Sequence, residues 1–379
     1  MRFWWKARYD ECDSVITKNR VPVRTSRFHI NNFFNRKLCC RRDDRIVGYS
    51  CRNINFIDMS YTILSFNMRN VGGGALMNRD WNTVADIMRD TRADIVAVQE
   101  VFSETPLKLQ LCQRLNAGFL CDWRYRCVSR QTCRNIRGEG YAFLWNARRV
   151  DLSPNEKVIG GSRVVVGVHE PEIRTEWSRS LVRPPCVARF IPVGWCVPFI
   201  ELRVISTHII FGEDKYSRDK GNDLSDKEMR LAEYRALSER LFPRVCKDRS
   251  DGNFRTPYTF IAGDYNLLQG ECSVIDGLPK EEVAFMKTRQ ILASTITQGD
   301  DSSPGHYTDH DYDHFSHSDR EHQYIHGVER IDAPTRYYGG DFKKYGQKMS
   351  DHVPVAMQFN VGSSNLEHVM LGKTTEEIK

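Results

Sequence analysis

Tyr258-Thr-Phe-Ile-Ala-Gly-Asp264-Tyr-Asn266 is an apolar run that stops on a carboxylate and an amide. A run of that length with no polar face reads as a strand buried on both sides. The same construction recurs along the chain. Tyr61-Thr-Ile-Leu-Ser-Phe ends on Asn67, Asp94-Ile-Val-Ala-Val-Gln on Glu100, and Glu201-Leu-Arg-Val-Ile-Ser-Thr on His208. Asp351-His352 stands just ahead of Val353-Pro-Val-Ala-Met-Gln-Phe, and Tyr141-Ala-Phe-Leu-Trp and Cys186-Val-Ala-Arg-Phe are further strands. Between them lie helical spacings: Trp81, Val84, Ile87 and Met88; then Leu107, Leu111 and Leu115 behind Thr105-Pro106. A third follows Ser225-Asp-Lys-Glu228, a capping box before Leu231, Tyr234, Leu237 and Leu241. Many strands with interspersed helices, and no dinucleotide glycine fingerprint, predict two packed sheets flanked by helices.

Strand ends are rigid mounts, so polar residues placed there converge at one sheet edge. The assembled set holds carboxylates, amides and imidazoles. Hard oxygen ligands suit Mg²⁺, and imidazoles contact or protonate phosphate oxygens. Each piece alone has a plainer reading. Asn67 is a turn or cap residue, His208 a hydrogen-bonded structural histidine, and Asp264-Tyr-Asn266 an Asx turn. Asp309-His-Asp-Tyr-Asp-His-Phe-Ser-His is a solvated polar loop or a loose metal-binding run. The combination in this order is far more specific than its parts.

From Tyr61 to Val361 the chain resembles the endonuclease/exonuclease/phosphatase superfamily, in its deoxyribonuclease I-like branch. The marks are Ser65-Phe-Asn67, Val98-Gln-Glu100, Glu139-Gly-Tyr141, Arg183-Pro-Pro, Ser206-Thr-His208, Gly263-Asp264-Tyr-Asn266, Tyr312-Asp313-His and Ser350-Asp351-His352. The resemblance implies a four-layer α/β sandwich with two central, mostly antiparallel sheets. It implies Mg²⁺ or Mn²⁺ held principally by Glu100, with Asn67 and Asp351 nearby. Asp264 matches the carboxylate that orients or deprotonates the attacking water, and Asn266 the amide that holds the phosphate. His208 and His352 match the two active-site histidines, and Glu139 and Asp313 the acids that hydrogen-bond to them. Arg183 matches an arginine on the phosphate path, and Tyr141 is expected at the substrate.

The same chemistry serves DNA cleavage, inositol-phosphate dephosphorylation and sphingomyelin hydrolysis. Glu139-Gly-Tyr141 and Leu181-Val-Arg183-Pro-Pro look like deoxyribonuclease versions. Leu267-Leu268 and Tyr312-Asp313-His314 depart from the inositol-phosphatase pattern. DNA is therefore the expected partner, with RNA or a small phosphoester as alternatives and no protein partner implied. A non-catalytic nucleic-acid-binding module on the same fold is the other class of reading; none of the matched positions is lost.

Net charge is +6 and lies in the leader, where residues 1–55 hold thirteen Lys/Arg against five Asp/Glu; the remainder holds 42 against 44. A site for a dication must itself gather carboxylates, so a weakly acidic body is compatible with a DNA enzyme. The divisions expected are a basic, disordered leader over 1–57, with Met59 as a candidate start, the catalytic domain over 58–361, and a polar tail over 362–379. No membrane span and no secretory signal is recognised, so a cytoplasmic protein with reduced thiols is expected. The 12 cysteines lack zinc-ribbon spacing.

Overall fold

The structure, a computed structural model, describes residues 39–42 and 45–48, and residues 59–361 apart from 75–77, 119–120, 129–137, 154–155, 160–161, 166–167, 172, 174–180, 194–199, 211–224, 248–254, 277–285, 290 and 301. The rest of the leader and the tail from 362 lie outside the described residues, and with them the expectations placed there. The chain divides into Met1–Asn55 and Phe56–Lys379. In the first unit β1 (Cys39–Arg42) and β2 (Arg45–Gly48) form an antiparallel hairpin.

The second unit opens with β3 (Met59–Val71), β4 (Ile95–Val101), β5 (Trp123–Val128) and β6 (Gly140–Asn146). It continues with β7 (Val150–Leu152), β8 (Glu156–Ile159), β9 (Ser162–Val165), β10 (Val168–His169), β11 (Cys186–Pro192), β12 (Ile200–His208) and β13 (Thr256–Asp264). After these come β14 (Met286–Thr288), β15 (Ile296–Gly299), β16 (Pro304–Tyr307), β17 (Asp313–Ser318), β18 (Ile325–Arg330) and β19 (Val355–Val361). One sheet is six-stranded in the order β18-β19-β3-β4-β6-β5; the other is seven-stranded, β10-β11-β12-β13-β17-β14, with β7 on β11. Each has one parallel pair at its centre, β3 with β4 and β12 with β13, amid antiparallel neighbours.

Side-chain alternation along these strands makes the layers. Ile63, Ile95, Phe143 and Phe359 face Phe190, Val204, Phe260 and Phe315 across the space between the sheets. Their sequence neighbours point outward: Leu64, Val96 and Leu144 pack under Trp81, Val84 and Met88 of α1 (Trp81–Asp90). On the far side Val187, Ile205 and Ile261 pack under Tyr234, Leu237 and Leu241, which follow the start of α2 (Asp226–Ala236). Helix, sheet, sheet, helix is the four-layer α/β sandwich expected. The capping box is formed: Ser225 and Glu228 exchange side-chain and backbone bonds at the start of α2.

Two local expectations need correction. Leu107–Cys112 and Leu237–Leu241 are wide π-type turns inside longer helices, although their leucines are buried as the spacing requires. The second half of the Asp309 tract is no solvated loop: β17 is buried throughout, between β13 and β14. It tolerates burial because each of its first polar side chains has at least one partner, although Asp313 Oδ1 and His314 Nδ1 have none among the described residues. His314 Nε2 bonds Leu267 O at 2.9 Å, and Ser316 Oγ bonds Tyr265 Oη at 2.9 Å and Thr288 Oγ1 at 2.8 Å.

Candidate active site

The two parallel pairs end side by side. Register sets Asn67 opposite Gln99 and His208 opposite Asp264. Beneath them Gln99 Nε2 donates to Ser206 Oγ of the other sheet at 2.9 Å and to Ser65 Oγ at 3.3 Å, stapling the sheets. Gly263 is required at its position: a Cβ there would lie 1.9 Å from Thr207 O, so only glycine lets β13 approach β12 where Asp264 emerges.

Asp264 Oδ2 is the hub. Asn67 Nδ2 donates to it at 3.0 Å, His208 Nε2 stands 3.5 Å away and His352 Nε2 3.6 Å away. Its Oδ1 accepts the Asn266 N–H at 3.0 Å, so the Asx turn read from the sequence exists and serves the site. Burial pushes the Asp264 carboxyl up, with Asp313 adding to the rise and His352 opposing it, to about 7.

Beyond the hub run three arms. Asn67 Nδ2 also donates to Glu100 Oε1 at 3.1 Å, and Asn70 N–H to Glu100 Oε2 at 3.0 Å. Two β-bulges aim this arm. The β3 to β4 register slips between Asn67 and Val71, and the β4 to β6 register between Val98 and Val101. Arg69, Asn70 and Glu100 sit at φ 46°, 55° and 58°, and Asn266 at 49°. Such conformations cost about 1–3 kcal/mol each and gather where a site over-determines them. In the second arm His208 Nδ1 lies 3.5 Å from Glu139 Oε2, which takes Arg183 Nε at 2.6 Å. In the third His352 Nδ1 bonds Asp313 Oδ2 at 2.8 Å. Burial disfavours charge on His352, but Asp313 and then Asp264 outweigh it and hold the imidazolium up to about 10.

Other residues named from the sequence have these partners. Arg183 is buried and directs donors to Glu139 and, at 3.2 Å, to Ile209 O. Tyr141 Oη accepts the His208 backbone N–H at 3.2 Å, anchoring that strand end. Asn266 Nδ2 donates to Ile209 O at 2.8 Å. Asp351 is half-exposed, with Arg69 Nη1 at 3.7 Å and Ser350 Oγ at 3.4 Å.

Residues the sequence did not single out complete the frame. Ser350 Oγ donates to Asn67 O at 2.8 Å and accepts His352 N–H at 3.2 Å. Buried Arg79 donates to Met349 O and, at 2.7 Å, to Arg69 O, tying the β3 bulge to the segment before Ser350. Gln99, Ser206 and Ser350 sit inside the quoted motifs and were findable there. Arg79, in an ordinary polar turn, carries no sequence signal.

Among the described residues no three His, Cys, Asp or Glu side chains stand as a ready metal cage. Mg²⁺ asks for less, one or two carboxylates with water completing the octahedron. The Glu100 carboxylate, with half-exposed Asp351 as the second candidate oxygen ligand, fits that donor chemistry. Asn67 fits as the residue orienting Glu100 and Asp264, since its Oδ1 accepts Arg69 N–H at 3.0 Å.

No protein-family model matches the chain, and no curated protein matches it in sequence. Solved structures do. TDP2 of D. rerio complexed with single-strand DNA product is 15% identical, with a TM-score of 0.48 over 80% of this chain and 100% of that one. An endonuclease/exonuclease/phosphatase family protein from Bacteroides thetaiotaomicron is 16% identical, with a TM-score of 0.47 over 81% and 99%. ANGEL2, a 2',3'-cyclic phosphatase, is 11% identical, with a TM-score of 0.46 over 80% and 96%. Function has to be read from the site itself. Among the described residues no helix is long and apolar enough to cross a membrane.

Proposed function

We propose that the chain is a divalent-metal-dependent phosphodiesterase that hydrolyses DNA by in-line attack of water. The supporting observation is the convergence of Asn67, His208 and His352 on one oxygen of Asp264, within 3.0 to 3.6 Å, with Glu100 joined through Asn67. Asp264, with its carboxyl near 7, is matched to taking a proton from water at neutral pH. The water oxygen bonds phosphorus as the bond to the leaving oxygen breaks, and the leaving oxygen takes a proton from an imidazole. His208 is that donor: its partner Glu139 is also engaged by Arg183, whereas Asp313 faces the His352 imidazole alone among the described residues. His352, held charged by Asp313, keeps its proton and faces the phosphate oxygens as a fixed cation. Glu100, together with Asp351 and Asn67, would hold Mg²⁺ or Mn²⁺, which would supply positive charge against the negative charge developing on the phosphate. DNA is favoured over other phosphoesters by the deoxyribonuclease-like Glu139-Gly-Tyr141 and Arg183-Pro-Pro segments and by the basic leader.

A plasmid-nicking assay tests this. Cleavage is expected with Mg²⁺ or Mn²⁺, none with EDTA, and none from folded Asp264→Ala or His208→Ala protein. Inositol-phosphate hydrolysis with plasmid left intact would move the substrate to the phosphatase branch. DNA retention without cleavage under any metal would leave a binding module.

A further inference from the structure

Glu233 is a carboxylate in the wrong place for a surface helix. It lies on the inner face of α2, 5% exposed; among the described residues no cation forms a salt bridge with it, and Arg183 acts on it only at longer range. Burial raises its carboxyl to about 7. Its two oxygens serve two backbone donors: Oε1 accepts Val182 N–H at 2.8 Å and Oε2 accepts Ile210 N–H at 3.4 Å. Val182 precedes Arg183. Ile210 follows Ile209, whose carbonyl takes both Arg183 Nη1 at 3.2 Å and Asn266 Nδ2 at 2.8 Å. One buried side chain thus bridges the two segments on which the Arg183–Glu139–His208 arm and Asn266 depend. As packing alone this is an expensive choice, because an apolar side chain of similar volume avoids desolvating a carboxylate.

We propose that Glu233 is a positioning residue for hydrolysis: it locks the 182–183 and 209–210 segments together so that His208 and Asn266 are held against Asp264. This rests on the phosphodiesterase reading above. Glu233 touches no reacting group and acts through the backbone. Truncating it leaves two N–H groups without their acceptor and lets the segments part. Glutamine keeps one acceptor oxygen and so one of the two anchors.

The test uses the full chain, with a fluorophore-labelled DNA duplex, whose leaving oxygen needs a proton, and Mg²⁺ as the probe, and compares Glu233→Leu and Glu233→Gln with wild type after folding is checked by circular dichroism. Glu233→Leu is expected to lower kcat about tenfold with KM changed less than about twofold, the signature of misplaced chemistry rather than lost binding. Glu233→Gln is expected to recover about half of that loss on a logarithmic scale. In an Arg183→Lys background the Leu effect should shrink to about twofold, because both changes loosen the same arm. The His208 ring ¹⁵N resonances, read by NMR without turnover, should move in Glu233→Leu. A stability loss with kcat and the His208 resonances unchanged would overturn the proposal, as would a full Leu effect in the Arg183→Lys background. If Glu233→Leu does not fold, Glu233→Gln decides by the same readouts. If wild type hydrolyses no phosphoester, the functional reading falls, and the His208 resonances still decide whether Glu233 sets that ring.

Discussion

The two histidines of the site look alike in sequence and differ in their surroundings. Each has an acid behind one ring nitrogen and Asp264 in front of the other. Behind His208, Glu139 is held by Arg183 through Nε at 2.6 Å and Nη2 at 3.3 Å, so its charge is largely spoken for. Behind His352, buried Asp313 pairs with no cation but the imidazole itself among the described residues, and its Oδ1 has no hydrogen-bond partner there. An uncompensated carboxylate in a dry site favours the imidazolium strongly; a compensated one favours it little. One arginine thus sets the acid behind His208 apart from the acid behind His352.

Where the arms meet, the effect of a substitution should be largest. Asp264→Ala removes the common partner of both rings and the water's acceptor, and a fall in kcat of at least about a thousandfold is expected, measured on any diester the wild type cleaves. His208→Ala and His352→Ala should each cost about a hundredfold or more, and the division of labour shows in the leaving group. With an activated leaving group such as p-nitrophenolate, which needs no proton, the His208→Ala defect should shrink and the His352→Ala defect should persist. Equal shrinkage in both would break the assignment. Next in size are the supporting acids. Asp313→Asn should lower kcat about ten- to a hundredfold and move the alkaline limb of the pH–rate profile to lower pH, since His352 loses the charge that retains its proton. Glu139→Gln should cost less, about tenfold or under, because the negative charge it deletes was already matched by Arg183. The reverse ranking would mean that Arg183 does not compensate Glu139.

Much of this was legible because apolar strands announce themselves. β4 and β13 are mostly apolar runs, β3 and β12 carry apolar stretches just before Asn67 and His208, and the polar residue after each stretch marks the candidate site edge. The layers followed from alternation once two sheets were assumed. β17 was illegible for the opposite reason. Asp313-His-Phe-Ser-His-Ser is polar by composition, and only hydroxyl and carbonyl partners supplied by distant segments make it a buried strand. Roles were less legible than places. Arg183 and Tyr141 contact Glu139 and the His208 backbone, but whether an arginine meets phosphate or a neighbouring glutamate depends on side-chain direction, and sequence spacing does not carry that. Arg79 and Glu233 act through backbone atoms, which any side chain of the right reach can bond.

The smallest of these effects is one of stability, and it isolates the Asp313 arm without catalysis. His352 in the folded protein titrates near 10, above the ordinary 6.5 of the unfolded chain. A raised value means that protonation favours the fold. Its contribution is complete below 6.5, declines as pH rises above it, and is gone once pH passes about 10. Asp264 adds a slope of the same sign: its folded value near 7 lies above the ordinary 3.8, so its contribution fades between those two values. In EDTA-treated protein, Tm should therefore fall as pH climbs from 7 to 10, the window in which His352 alone of the two still titrates. Asp313→Asn should flatten that fall, because the histidine then returns toward its ordinary value and has little left to lose there. Glu139→Gln should leave it nearly as steep as in wild type. Added Mg²⁺ should raise Tm more at the alkaline end, where Asp264 is ionised and a cation near Glu100 finds more negative charge to meet. A wild-type Tm that is flat across the window, or a slope that survives Asp313→Asn intact, would show that the uncompensated acid does not set the charge of His352, and the contrast between the two rings would have to be drawn from geometry alone.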